Sequence, residues 1–284
     1  MVKGDRPFRL LSKSVRLEPI AYYDGNINGG IPSDTIQAGP FTFTVAEESR
    51  AKSGIVLGGR LGIAGTYALR FGETLSLGAN VSLEHSFEHE ISKANFSGFG
   101  CYQKYLEQWM FADFCLSVNS KYKEQSQENT ISPSISLTKF FSSDFGSHDV
   151  KTTVGWVVHD DYNKPYVNFS SSTVLPDFGV VSSSLYLSDV VEGNHTRTWG
   201  TSIGVGTPIL GKYTKFNATY YVEKGSALFG NERKDRIVEV GVSRPIHERV
   251  QLRVSYENRT STIAAFDNGS LNVRFDLKPW SLVD

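Results

Sequence analysis

The sequence predicts an all-β protein: a transmembrane antiparallel up-and-down β-barrel of about 14 strands, of the type that crosses a Gram-negative outer membrane. Three observations carry this reading. Apolar and polar residues alternate with a period of two through stretches of about 10–14 residues. Charged residues sit in mid-strand on one face only. No apolar run reaches the roughly 18 residues that a membrane-spanning helix needs.

Composition agrees. The chain has 284 residues, apolar types make up 39%, and Tyr 13, Phe 18, Trp 4 and Gly 26 are plentiful. Few apolar residues with many aromatics fit a sheet with one apolar and one polar face. Lys+Arg 29 nearly balances Asp+Glu 30, so no basic field marks a nucleic-acid partner. The start, Met1-Val2-Lys3-Gly4-Asp5-Arg6-Pro7, has no apolar core of signal-peptide type. Residues 1–13 are expected to be an N-terminal periplasmic segment and 14–284 a single outer-membrane barrel domain.

Along the chain, the opening strand falls near Val15–Tyr23, and 24–53 is expected to be the first surface loop, although Phe41–Val45 reads as extended. From Gly54 onward thirteen further strands are expected. Leu75, Leu77, Ala79, Val81 and Leu83 alternate with Ser76, Gly78, Asn80, Ser82 and Glu84. Phe216, Ala218, Tyr220 and Val222 oppose Lys215, Asn217, Thr219 and Tyr221. Val238, Val240 and Val242 oppose Glu239, Gly241 and Ser243, and Leu271, Val273 and Phe275 oppose Asn272, Arg274 and Asp276. These lengths suit the 9–11 residues with which a tilted strand crosses a bilayer and exceed the 5–6 of a soluble sandwich.

Tight links at 70–73, 105–108, 175–178, 209–212 and 245–248 contrast with longer polar segments at 84–92, 123–130, 190–197 and 223–235. Short periplasmic turns and long surface loops are the expected pattern of such barrels. Tyr22, Tyr23, Tyr67, Phe71, Tyr102, Tyr105, Trp109, Phe140, Phe141, Tyr166, Trp199, Tyr256 and Trp280 lie toward strand ends, where interfacial girdles belong.

The run Tyr23-Asp24-Gly25-Asn26-Ile27-Asn28, with Gly39-Pro40-Phe41-Thr42-Phe43 and Ser49-Arg50-Ala51-Lys52-Ser53-Gly54, resembles the barrel of the surface lipoprotein assembly modifier family. Arg233-Lys234-Asp235-Arg236, Ser243-Arg244-Pro245-Ile246 and Ser261-Thr262-Ile263 resemble its closing strands. The resemblance covers nearly the whole chain in layout. It implies a fourteen-strand barrel that moves or docks a lipoprotein at the cell surface, with outer-membrane lipid, a surface lipoprotein and the barrel assembly machinery as partners. Family members carry periplasmic tetratricopeptide repeats before the barrel; none occurs here, so the chain is similar to the barrel part alone. Such barrels commonly end in an aromatic residue, a role Phe275 would take, whereas this chain runs on through 278–284.

Candidate site residues are the mid-strand charges. Arg60, Lys215, Glu239, Arg253, Glu257 and Arg274 are expected to line the lumen, because only a hydrated interior keeps such ions stable at membrane depth. Cys101 and Cys115 flank a tight link. If that hairpin centres on Gln108 they lie opposite each other on the face of Asn95, Ser97, Asp113 and Ser117, and a structural disulfide can form in the oxidising periplasm; a shift of two residues separates them.

His85 and His89 bracket a loop rather than a helix face, so two-histidine zinc geometry does not apply. His159-Asp160-Asp161 is an acid–histidine cluster without a partner dyad. Neither supports an enzyme, and no cofactor or metal is expected. Gly58-Gly59 and Gly200–Gly206 mark bends in strands and not phosphate loops. A porin, general or solute-specific, is the alternative to the translocation barrel.

Overall fold

The computed structural model describes residues 8–38, 40–70, 72–123 and 126–277. Fourteen strands close a single antiparallel barrel: β1 (Arg9–Asp24), β4 (Gly54–Ala68), β5 (Glu73–Ser86), β6 (Ile91–Tyr105), β7 (Met110–Lys123), β8 (Ser126–Ser143), β9 (Gly146–His159), β10 (Asn163–Leu175), β11 (Gly179–Ser188), β12 (Thr196–Ile209), β13 (Lys212–Leu228), β14 (Asn231–His247), β15 (Val250–Ser261) and β16 (Asn268–Leu277). A separate hairpin, β2 (Thr35–Ala38) and β3 (Phe41–Thr44), lies in the connection from β1 to β4. Each strand pairs with its sequence neighbour, and β1 meets β16 around Tyr22–Arg274 and Tyr23–Val273. This short seam joins the two edges of the sheet, the closure by which a sheet's backbone polar groups enter lipid. Among the described residues helix is confined to two 3-10 turns, Glu47–Ser49 and Ala264–Phe266.

Alternation decides which side chain meets lipid. Ile55, Leu83, Ile135, Val240 and Leu271 all point outward and are exposed. With solvent replaced by hydrocarbon, this apolar outer surface is the membrane-facing belt of an outer-membrane barrel. The barrel has no packed centre. Among the described residues the buried apolar cluster, Ile27, Val56 and Ile91 with Tyr22 against it, lies at one mouth.

Three details differ from the sequence reading. First, β1 begins at Arg9, so 9–13 belongs to the barrel and not to a separate segment 1–13. Second, most of the polar segments expected as long loops are strand. β13 and β14 continue to a turn at Phe229–Gly230, and only 87–90 separates β5 from β6. At 17 residues each, β13 and β14 rise about 55 Å along the strand, well beyond the roughly 25 Å apolar band. An antiparallel ladder satisfies backbone groups whatever the side chains, so polar sequence extends the wall above the membrane. The connection at 25–53 is the long one, and it identifies the surface end. Third, Tyr22 and Tyr166 pair with the inward residues Val56 and Gly155, so they face the lumen and not the girdle. Phe71, Trp280 and the run 278–284 fall outside the described residues.

Turn chemistry sets the other end. Leu210 and Gly211 both have positive φ, 51° and 72°, the left-handed pair that a two-residue hairpin turn requires.

Candidate functional site

The lumen wall is built by register. Residues opposite each other in an antiparallel pair share a face, so the ladder from Lys215 to Ser243 to Arg253 to Arg274 runs along the inside. The same rule places Arg60 opposite Glu18, and Glu239 opposite Glu257, on the inside. All six sequence-selected charges therefore face the interior. Arg60 approaches Glu18 at 3.6 Å, and Arg253 and Arg274 share Asp276 at 3.2 and 2.5 Å. Glu257 lies 3.8 Å from Arg259. Among the described residues Lys215 has no ion pair, and it extends over the Tyr213 ring at 5.9 Å.

Cys101 and Cys115 are direct partners across β6 and β7, on the lumen face, with their sulfurs bonded at 2.20 Å. The hairpin is centred on Gln108, whose φ is 49°.

The interior is polar in two different ways. On β8 to β12 the inward residues are mostly hydroxyl-bearing: Ser136 meets Thr153 at 3.0 Å and Ser184 meets Ser202 at 2.7 Å. On β13 to β16 and β1 charged residues are interspersed with neutral ones, as on β15, where Arg253, Glu257 and Arg259 share the inner face with Gln251 and Ser255. Fourteen strands about 4.8 Å apart and tilted about 40° enclose a cylinder roughly 28 Å across between backbones. That is more than two opposed arginines can bridge. Among the described residues the barrel's ion pairs accordingly run along the wall, such as Lys151–Asp113 at 3.4 Å and Lys93–Asp24 at 3.3 Å. Arg253 remains 54% exposed although it points inward.

The mouth is more tightly packed. Asp235 is 0% exposed; it accepts from Arg233 Nη2 at 2.6 Å, Arg259 Nη1 at 2.8 Å and Ser261 Oγ at 2.6 Å. His195, from the β11–β12 connection, sits 3.1 Å from Asp235 and 3.5 Å from Glu223. His195, Glu223 and Asp235 have potential ligand atoms within 4.8 Å of one another. Two guanidiniums already occupy the Asp235 carboxylate, so the cluster is an ion-pair hub and does not suit a divalent cation. Sequence reading missed this hub, because its members come from separate strands and a loop. The one available signal was the density of charge in 223–236.

The 25–53 connection folds over this end. Ile27 is 1% exposed against Val56 and Ile91, while the Asn28 side chain accepts from Lys52 N at 2.8 Å and donates to Arg50 O at 2.5 Å. Lys123 donates to Asn28 O from β7. On the far side Phe43 stacks on Phe229 at 5.1 Å. The connection thus spans from the β4–β7 wall to the β13–β14 tip.

His159 stacks on Tyr162 at 4.6 Å, with Asp161 at 3.7 Å, and His85 contacts Ser92 at 2.9 Å. The first is a contact at the β9–β10 connection and the second a cross-strand pair of β5 and β6. Burial raises the pKa of the Tyr162 hydroxyl, with Glu128 adding to the rise.

No family model and no curated protein matches the chain. Some solved structures are similar to the chain. Pseudomonas aeruginosa OpdK with vanillate shares 9% identity over 95% of this chain and 98% of its own, with a TM-score of 0.47. The outer-membrane channel DcaP of Acinetobacter baumannii shares 10% over 97% and 99%, at 0.49. A BenF-like porin from Pseudomonas fluorescens shares 7% over 96% and 100%, at 0.46.

Proposed function

We propose that this protein is a porin-like, non-enzymatic outer-membrane channel that admits small polar solutes. One observation carries the reading: among the described residues the ion pairs inside the barrel follow the wall and do not cross the lumen, and the inward Arg253 stays half exposed. A water-filled path with charges of both signs selects solutes by charge and hydrogen bonding, while the 25–53 connection narrows the entrance. The test is single-channel recording in planar bilayers. Steady stepwise conductance from the purified protein alone is the expected result; a barrel that inserts without conducting overturns the proposal.

A second reading is a barrel that docks or moves a surface lipoprotein, as the family resemblance implies. Its support is specific: the Tyr23–Asn28 run that carries the resemblance is also the hinge of the mouth connection, with Asp24 accepting from Asn26 N at 2.9 Å. A silent barrel that opens only with a lipidated partner would favour it.

A further inference from the structure

Within β14 to β16, two pairs of like charges lie directly opposite each other on the lumen wall. Arg253 faces Arg274 across β15–β16, and Glu239 faces Glu257 across β14–β15. Like charges in this position weaken a sheet. Asp276 offsets the arginine pair only in part, since Lys215 stands in the same cross-strand row with no carboxylate of its own. Glu257 has Arg259, but Glu239 has neither an ion pair nor a hydrogen bond among the described residues. One wall thus holds an uncompensated cation and an uncompensated anion.

Their spacing is set by the strand. Ser243 is the partner of Lys215 and lies four residues along β14 from Glu239, a separation of about 13 Å between backbones. Between the two charged rows runs a neutral row, Asn217–Gly241–Ser255. A recess of about 420 Å³ opens here, lined by Lys215, Arg253, Asn217, Ser255 and Glu239 among others, a volume typical of small-molecule sites. Glycine keeps it open: a Cβ on Gly241 would come within 2.7 Å of Asn217 Oδ1, and one on Gly206 within 2.1 Å of Tyr213 Oη.

We infer that this recess is a subsite for short zwitterionic peptides of two or three residues, which deepens, and rests on, the channel reading above. The peptide carboxylate lies between Lys215 and Arg253, and the ammonium meets Glu239. The backbone amides bond to Asn217 and Ser255. An extended tripeptide is about 10 Å long, which flexible lysine, arginine and glutamate side chains can clasp from both ends.

The test is calorimetric titration of the detergent-purified barrel with trialanine, N-acetyl-trialanine and trialanine amide. Free trialanine is expected to bind at least about tenfold more tightly than either blocked form, the value of one charge-assisted contact. Glu239→Gln, nearly isosteric, should erase the preference for trialanine over the acetylated form and leave the preference over the amide. Lys215→Ala should do the reverse. Equal affinity for all three peptides, or no heat at millimolar trialanine, overturns the subsite. Conductance is recorded separately on the same preparation. A conducting barrel that ignores trialanine removes the subsite and keeps the channel, whereas peptide binding to a non-conducting barrel does the opposite.

Discussion

Asp235 shows how much a single residue can bear. Its carboxylate is wholly buried and holds Arg233, Arg259, Ser261 and His195 together. Removing one partner of a buried ionic set leaves the others uncompensated, at a cost of about 3–5 kcal/mol. Asp235→Ala is therefore expected to lower the thermal unfolding midpoint measured by circular dichroism in detergent, and far more than Glu18→Ala, whose pair with Arg60 is partly exposed. The Cys101–Cys115 bond closes a loop with a sequence separation of 14. In the chain-entropy account it restrains the unfolded chain by about 3 kcal/mol, so replacing both cysteines with serine should shift the denaturant midpoint without changing conductance. At this scale the sequence was uneven. The facing of Arg253 or Lys215 was readable because alternation is local, whereas the Cys101–Cys115 pairing depended on a hairpin centred at Gln108, which the structure supplies. Tyr22 was misread as a girdle residue, since a tyrosine suits either face; its hydroxyl in fact donates to Glu84 at 2.7 Å. The partners of Asp235 come from positions 195, 233, 259 and 261, and no local pattern joins them.

Among the elements, the 25–53 connection is the one most directly tied to function. It is held by Ile27 on one wall and by the Phe43–Phe229 stack on the other. Replacing 33–45 with a short glycine–serine link should leave the barrel folded and raise single-channel conductance, because the span across the mouth is lost while the Ile27 anchor remains. Unchanged conductance would mean that the connection lies outside the ion path. The existence of this loop was legible from parity, since a full strand at 41–45 breaks the count. Its hairpin and its seat were not, because both depend on contacts with β7 and the β13–β14 turn. Strand ends were the other weak point. Polar composition at 84–92 and 223–235 suggested loops, yet hydrogen bonding carries β13 to Leu228. Side-chain polarity reports the membrane boundary, and the ladder simply continues past it.

For the whole molecule, the governing fact is the sorting of side chains by parity into a lipid-facing belt and a hydrated interior. The fourteen-strand count and the antiparallel closure follow from it, together with the even number of crossings. That level was the most legible, because a two-residue period repeated over many strands is insensitive to errors at any one boundary. The grouping of Lys215, Glu239, Arg253, Glu257 and Arg274 on one arc of the lumen was not, since it needs the pairing order of the strands.

Thiol labelling of the protein in lipid vesicles tests this sorting most directly. Both native cysteines are joined in the disulfide, so an introduced thiol reports alone. Arg253→Cys and Leu252→Cys are neighbours that differ only in parity. With a charged, water-soluble maleimide, the position at 253 should label to near completion and the one at 252 hardly at all. Equal labelling of the two, or labelling of 252 alone, would contradict a barrel whose interior is water and whose exterior is lipid.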